Sequence, residues 1–260
     1  MPEHRPPHVL ADSGEWTMQA TNGSALDFHA RPLPPLTHGR GEVWVHRSSR
    51  PALVLGSAQS DDLVDAELAR SAGWEVGRRR SGGGLVVVVP DTHLWVDVVI
   101  GPDHRRWDND VHRAFDWVGV AWARTIARCT GSPPPDVHRE ALVGREAGRL
   151  LCFAGLGAGE IAVDGHKLLG LSQRRTRDGA RFQTMLELAD HSASLRPFAC
   201  GPLADLLDRR AGEATGDHPP PLHQGIGLPA GRSDLDSLRD LDRVLGTLWE
   251  ELTFDPVSPT

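Results

Sequence analysis

The sequence predicts an α+β domain in which helices flank mixed or antiparallel β-sheets, and three observations carry that prediction. Short segments rich in Val, Ile and Leu follow one another through the middle of the chain. An Asp164-Gly165 pair joins two of them as a tight hairpin turn. Two longer segments, at about 110–129 and about 234–252, place apolar residues every three or four positions and read as helices.

Taken in order, residues 1–24 are rich in Pro, Ser, Gly and Asn and are expected to form a disordered N-terminal tail. Residues 31–41 are a second Pro/Gly stretch. Glu42–Arg47 and Ala52–Leu55 read as strands separated by a Ser/Arg turn containing Pro51. A helix is expected at about Asp61–Ala72, because Asp61 and Asp62 suit its positive end and Gly73 suits its stop. Glu75–Arg79 is a short strand, and Leu85–Val89 reads as a strand buried on both faces. Pro90-Asp91 is a turn. His93–Ile100 is a strand in which Leu94, Val96 and Val98 alternate with Trp95, Asp97 and Val99.

The helix at Asp110–Cys129 carries a stripe of Val111, Phe115, Val118, Trp122 and Ile126, and Pro133–Pro135 follows it. Glu160–Val163, Lys167–Ser172 and Arg181–Leu188 read as strands. Residues 211–232, with Pro219, Pro220 and Pro221, form an exposed connection. The last helix, about Asp234–Leu252, presents Leu235, Leu238, Leu241, Leu245, Leu248 and Leu252 to the core, with Ser233 or Asp234 as its cap. The division is therefore a tail (1–24), a main domain (25–210), a Pro/Gly-rich connection (211–232) and a C-terminal helix packed on the domain (233–260).

The 260 residues suffice for one large domain with a sizeable core. A net charge of −7 disfavours nucleic acid or an anionic membrane as partner. No apolar run reaches transmembrane length, and the N-terminus lacks a signal-peptide core. Cys129, Cys152 and Cys200 lack metal-type spacing and read as reduced thiols in the cytoplasm. The histidines show no H-x-x-x-H or H-E-x-x-H pattern, so no metal is expected. Basic residues cluster at Arg78, Arg79 and Arg80 and at Arg174, Arg175 and Arg177. These are either anion sites or solvated turns.

The sharpest local signal is Arg78-Arg79-Arg80-Ser81-Gly82-Gly83-Gly84. Three glycines let the backbone approach a ligand and offer unshielded N–H groups, while arginine adds a forked donor for phosphate or carboxylate. The segment is neither a P-loop nor G-x-G-x-x-G. The competing reading is a flexible turn. The second signal runs from Asp164 to Arg175, where the tight turn delivers Lys167 onto a strand. Strict alternation would place Leu169, Leu171 and Gln173 on the face of Lys167, and Leu168, Gly170 and Ser172 on the other. Alone, such a lysine is usually a solvated charge.

Together these segments resemble the lipoate-protein ligase and octanoyltransferase family, which shares a catalytic fold with biotin-protein ligases. Arg79-Arg80-Ser81-Gly82-Gly83-Gly84 matches the family's R-R-x-S/T-G-G-x. Gly165-His166-Lys167, Gly170 and Ser172-Gln173-Arg174 match its G-R-K-x-x-G-x-A-Q-R. Leu53 to Gly56, Ser57 and Gln59 resemble the opening strand and G-x-x-Q turn. The resemblance covers about residues 52–188. It implies attachment of a lipoyl or octanoyl group to a lysine of a lipoyl-domain partner. It makes Lys167 catalytic, and assigns substrate or acyl-adenylate binding to Arg79, Arg80, Ser81, Gly82, Gly83, Gly84, Gly165, Gly170, Ser172 and Gln173.

One branch of the family has a nucleophilic Cys in C-F-x-x-P-S-x-x-E-L. Cys152-Phe153 and Glu160 resemble it, with Leu156-Gly157 in place of Pro-Ser. The favoured mechanism is transfer from an acyl-carrier protein through Cys152; a small buried core Cys is the competing reading. The alternative is an ATP-dependent ligase acting through lipoyl-AMP, with ATP and Mg as co-reactants and no tightly bound cofactor. A further alternative is a non-catalytic acyl or acyl-adenylate binding protein. It is suggested by Val86 to Val89, which run where the family loop carries a His; His93 is the nearby substitute. Phe182-Gln183-Thr184 likewise stands where the family often has H-H-G-T.

Overall fold

A computed structural model describes residues 8–36, 39–213 and 225–254. The chain begins with β1 (His8–Asp12), β2 (Trp16–Gly23), α1 (Ala25–Ala30), β3 (Gly41–Ser48) and β4 (Ala52–Leu55). It continues through α2 (Ala66–Ser71), β5 (Glu75–Arg78), β6 (Val86–Val88), β7 (His93–Ile100) and α3 (Asp116–Thr130). Then come α4 (Arg145–Leu150), β8 (Ile161–Val163), β9 (His166–Thr176), β10 (Gly179–Glu187) and α5 (Ser192–Leu195). The last elements are α6 (Gly201–Glu213), β11 (Gly225–Ile226) and α7 (Leu241–Thr253).

The main sheet has the order β1-β2-β3-β7-β10-β9-β11, with β8 also paired to β9. Its pairings are antiparallel except β2 with β3 and β9 with β11. A small sheet, β5-β4-β6, is mixed as well. This is the α+β architecture that the sequence predicts.

Alternation along the central strands divides the main sheet into two chemically different faces. Val43, Val45, Val96, Val98, Phe182 and Leu186 face α3 and α7, whose Val118, Trp122, Ile126, Val244, Leu248 and Leu252 close an apolar core. The opposite face carries Trp95 and Met185 toward the small sheet and α1. It also carries a buried polar knot. Asp97 Oδ2 accepts from Arg181 Nε at 2.8 Å and Nη2 at 2.5 Å and lies 2.8 Å from His46 Nε2, while Oδ1 accepts from Trp95 Nε1 at 2.9 Å. Arg181 also donates to the carbonyls of Phe28 at 2.6 Å and Arg31 at 2.9 Å. The knot therefore ties the end of α1 to the middle of the sheet.

Several expected boundaries are corrected. The stretch expected as a disordered tail over 1–24 forms β1 and β2 where it is described; residues 1–7 lie outside the described residues. Its polar composition hides a period-two pattern in which Trp16, Met18 and Ala20 are buried. The helix expected at Asp61–Ala72 is a 3₁₀ turn, Asp61–Leu63, followed by α2, whose true cap is Asp65, accepting from Leu68 N at 2.9 Å. The expected Asp110 start becomes a 3₁₀ turn, Arg113–Phe115, before α3, and Val111 is exposed. Gly131, with φ +74°, stops α3 before the prolines are reached. The last helix begins at α7, capped by Asp240; residues Ser233–Arg239 form a 3₁₀ helix. The expected connection at 211–232 holds the end of α6 and β11, while Pro219 to Pro221 lie outside the described residues.

Burial pushes the Asp97 carboxyl up, but Arg181 and then His46 outweigh it and hold it at about 2, against an ordinary 3.8. The ionised carboxylate therefore contributes stability that is complete above pH 3.8 and is lost as pH falls through about 2. Asp97→Asn should lower the unfolding free energy in urea at neutral pH by about 3–5 kcal/mol, because it strands a buried guanidinium. The gap to the parent protein should narrow as pH falls through that window.

Candidate functional site

The small sheet and the polar face of the main sheet enclose a cleft of about 180 Å³. Its wall is built by the glycine loop between β5 and β6. Gly83 has φ +92°, a left-handed conformation that side chains resist. A Cβ on Gly84 would stand 2.5 Å from Gly148 O and 2.8 Å from Cys152 N. The third glycine is therefore a packing requirement. It lets the loop close on α4 and the 3₁₀ turn Cys152–Ala154, where Leu85 N donates to Leu150 O at 3.0 Å and Cys152 N to Leu85 O at 2.9 Å. Gln59 reinforces this contact: its Oε1 accepts from Gly56 N, and its Nε2 donates to Arg149 O and Leu150 O.

Lys167 enters from β9. The turn before it has both central residues at positive φ, Asp164 at 49° and Gly165 at 76°, as a two-residue hairpin of this twist requires. Ile161 pairs with Leu169 but Ala162 pairs with Lys167, so Leu168 is the extra residue of a β-bulge. The bulge corrects the face assignment. Leu168 and Leu169 pack in the apolar core, whereas Lys167, Gly170 and Ser172 line the cleft.

The Lys167 ammonium is 2% exposed and uses all three of its protons. It donates to Cys152 O at 3.0 Å and Gly155 O at 2.9 Å, and stands 2.6 Å from Glu160 Oε2. Glu160 also accepts from Gly157 N at 2.6 Å and Leu171 N at 3.0 Å. Phe153 lies under the ammonium, its ring centre 5.0 Å away. Gly170 makes room for that ring, since a Cβ there would meet it at 2.9 Å.

Of the residues singled out in the sequence, the cleft is lined by Arg79, Gly82, Gly83, Gly84, Cys152, Lys167, Gly170 and Ser172. Arg79 is buried and donates to Gly84 O at 2.9 Å, so it braces the loop as well. Arg80 is exposed, and neither it nor Ser81 lines the cleft. Gly165 belongs to the turn. Gln173 points to the other side, where its amide pairs with Val111 O and Arg175 at 3.2 Å each. His93 does not line the cleft either; it is buried at the start of β7. Sequence reasoning missed His29 and Trp95 as cleft residues, which the fold brings there from α1 and β7; Gln183 and Thr184, noted in the sequence only as a departure from the family pattern, line the cleft from β10. Glu160 was legible only as a family position; its service as the counter-ion of Lys167 needs the fold. Among the described residues, no group of three or more His, Cys, Asp or Glu is placed to hold a metal, and no helix is long and apolar enough to cross a membrane.

The model of the lipoyl protein ligase A/B catalytic domain matches residues 40–196. Among solved structures, a bipartite lipoate protein ligase from Thermoplasma acidophilum, described with its E2 lipoyl domain, is 16% identical with a TM-score of 0.55, over 85% of this chain and 74% of that one. A lipoate-protein ligase A bound with ATP is 15% identical with a TM-score of 0.58, over 94% and 87%. At these identities the likeness is one of fold. Comparison with curated protein sequences finds no match.

The two outer glycines of the loop should respond differently to substitution. Gly82→Ala, which meets nothing within 4 Å, should leave stability within about 0.5 kcal/mol in urea. Gly84→Ala, which meets backbone, should cost roughly 1–3 kcal/mol and open the loop–Cys152 contact to amide hydrogen exchange.

Proposed function

Because the chain belongs to the lipoyl protein ligase A/B catalytic domain family, we propose that it attaches a lipoyl or octanoyl group to a lysine of a lipoyl-domain protein, through Cys152. The carrying observation is that Cys152, Lys167 and the glycine loop share one cleft, with the Cys152 backbone held on both sides, by Leu85 and by Lys167. The enzyme would take the acyl group from a carrier thioester. The Cys152 thiolate attacks the carbonyl carbon and expels the carrier thiolate, leaving an acyl-Cys152 thioester. The acceptor lysine amine then attacks that carbonyl, loses a proton, and expels the Cys152 thiolate as the amide forms. The backbone N–H groups of the glycine loop and the Lys167 ammonium are the donors available to a developing oxyanion. Lys167 reaches it by exchanging one of its two carbonyl partners for the substrate oxygen.

A second reading is activation of the free acid with ATP and transfer from an acyl-adenylate. It is supported by Gly82 to Gly84 together with Arg79, a backbone and guanidinium pair suited to phosphate. Under this reading Cys152 has no chemical role.

Incubating the protein with a lipoyl domain and weighing that domain by mass spectrometry separates the two. The proposal expects modification from octanoyl-carrier protein without ATP, abolished by Cys152→Ala. Modification only with lipoate, ATP and magnesium, surviving that change, would replace it with the ligase reading. Full activity in Lys167→Ala would overturn the site under either mechanism.

A further inference from the structure

The rim of the cleft carries an apolar pair that the fold leaves in water. Every residue from 139 to 146 is exposed, and Leu142 and Val143 stand among them at 42% and 37% exposure. Single exposed apolar residues are ordinary. Two facts set this pair apart. Leu142 lines the cleft while remaining exposed, so it stands at the mouth. The backbone beneath the pair is fixed: Val143 N donates to Leu156 O at 2.9 Å, and Val143 O accepts from Leu156 N at 3.0 Å. Upstream, His138 N donates to Glu160 O at 2.9 Å, and Gly159 N to His138 O at 2.8 Å. The rim is thus mounted on the same 156–160 segment that carries Glu160 to Lys167. An apolar surface already held in place loses little further freedom when a partner covers it.

Positive charge follows the pair along the chain. Arg145 and Arg149 are exposed on α4, four residues apart and therefore on one face. Arg80 is exposed as well, at the start of the glycine loop that packs on α4 at Gly148. Arg78 and Arg139 are each paired, with Asp61 and Asp116 at 2.6 Å. Among the described residues, Arg80, Arg145 and Arg149 have no such partner. Glu146 stands about 100° round α4 from Arg145, and Glu140 lines a separate groove beside Arg139. On a chain of net charge −7, cations without partners beside an apolar pair suit a surface that is itself apolar and acidic.

Reach decides which partner this is. The proposed reaction has a donor that brings the acyl group and an acceptor whose lysine receives it. A lysine amine stands on a four-carbon stem, on the order of 6 Å long, so the acceptor's own backbone must come down on the rim. A carrier that delivers its thioester on a long flexible arm need not. We propose that Leu142, Val143, Arg145 and Arg149 form the docking surface for the acceptor protein, and that the acceptor presents an apolar side chain and carboxylates beside its modified lysine. The inference rests on the acyl-attachment reading and names the chemistry of its protein partner.

Rates of lipoyl-domain modification, followed by mass spectrometry, test this with whichever donor supports transfer, octanoyl-carrier protein or lipoate with ATP and magnesium. The kcat/KM for the acceptor and for the donor are read separately. Leu142→Ser should lower the acceptor kcat/KM roughly five- to tenfold. Arg145→Glu combined with Arg149→Glu should lower it at least as much at low salt, while the donor kcat/KM of that variant stays within about twofold of the parent. Rising ionic strength should lower the acceptor kcat/KM of the parent and leave that of the charge-reversed variant nearly flat. An unchanged acceptor value in either variant overturns the inference. A loss confined to the donor value assigns the surface to the carrier and overturns it too. No modification of the lipoyl domain with any donor overturns the acyl-attachment reading itself, and the inference with it.

Discussion

The buried pair of Lys167 and Glu160 is the constraint on which the cleft depends. Taking two opposite charges out of water is expensive and is tolerated only where their remaining hydrogen-bonding capacity is filled. Here it is: the ammonium reaches two carbonyls besides the carboxylate, and the carboxylate reaches two backbone N–H groups besides the ammonium. Every one of those backbone groups belongs to a piece of the site. Cys152 and Gly155 stand at the two ends of one 3₁₀ turn, Gly157 starts the turn to β8, and Leu171 fixes the middle of β9. One ion pair thus ties the 152–157 segment, which holds no named strand, to β9. The glycine loop joins the assembly through Leu85, which bonds to both Leu150 and Cys152.

A second buried charge cluster supports the other end of the cleft. Asp97 and Arg181 sit on adjacent central strands, and Arg181 spends its remaining donors on the carbonyls that end α1. The short helix that carries His29 is therefore held by the sheet. Its six residues make a poor independent helix. Both clusters lie on the polar face of a sheet whose other face is an ordinary apolar core under α3 and α7. The sheet gives the two ends of the cleft a fixed separation.

The strands were legible where a single rule governed them. Ala52–Leu55 and His93–Ile100 are found at their expected limits because apolar runs and alternation mark buried strands directly. The Asp164-Gly165 turn was legible for the same reason, since few residue pairs accept two consecutive positive φ angles. Helix starts were less so. Asp65 and Asp240 cap helices several residues after the acidic residues that looked like caps, because 3₁₀ turns use up the intervening segments. The bulge at Leu168 defeated strict alternation and hid which residues share a face with Lys167. Of the motif residues, Arg79, Gly82 to Gly84, Lys167, Gly170 and Ser172 line the cleft while Arg80, Ser81, Gly165 and Gln173 do not, and the contacts that the lining residues make were not legible. Glu160 lies seven residues from Lys167 and His29 more than a hundred from Gln183, and only the fold makes either pair a contact.

The central claim is that the Lys167–Glu160 pair organises the cleft as one unit, and a double-mutant cycle in urea measures it most directly. Lys167→Met alone should cost about 3–5 kcal/mol, because it leaves a buried carboxylate without its counter-ion. Adding Glu160→Gln should recover a substantial part of that loss, giving a coupling energy on the order of 1–3 kcal/mol. Additive losses, with no coupling between the two positions, would contradict the account.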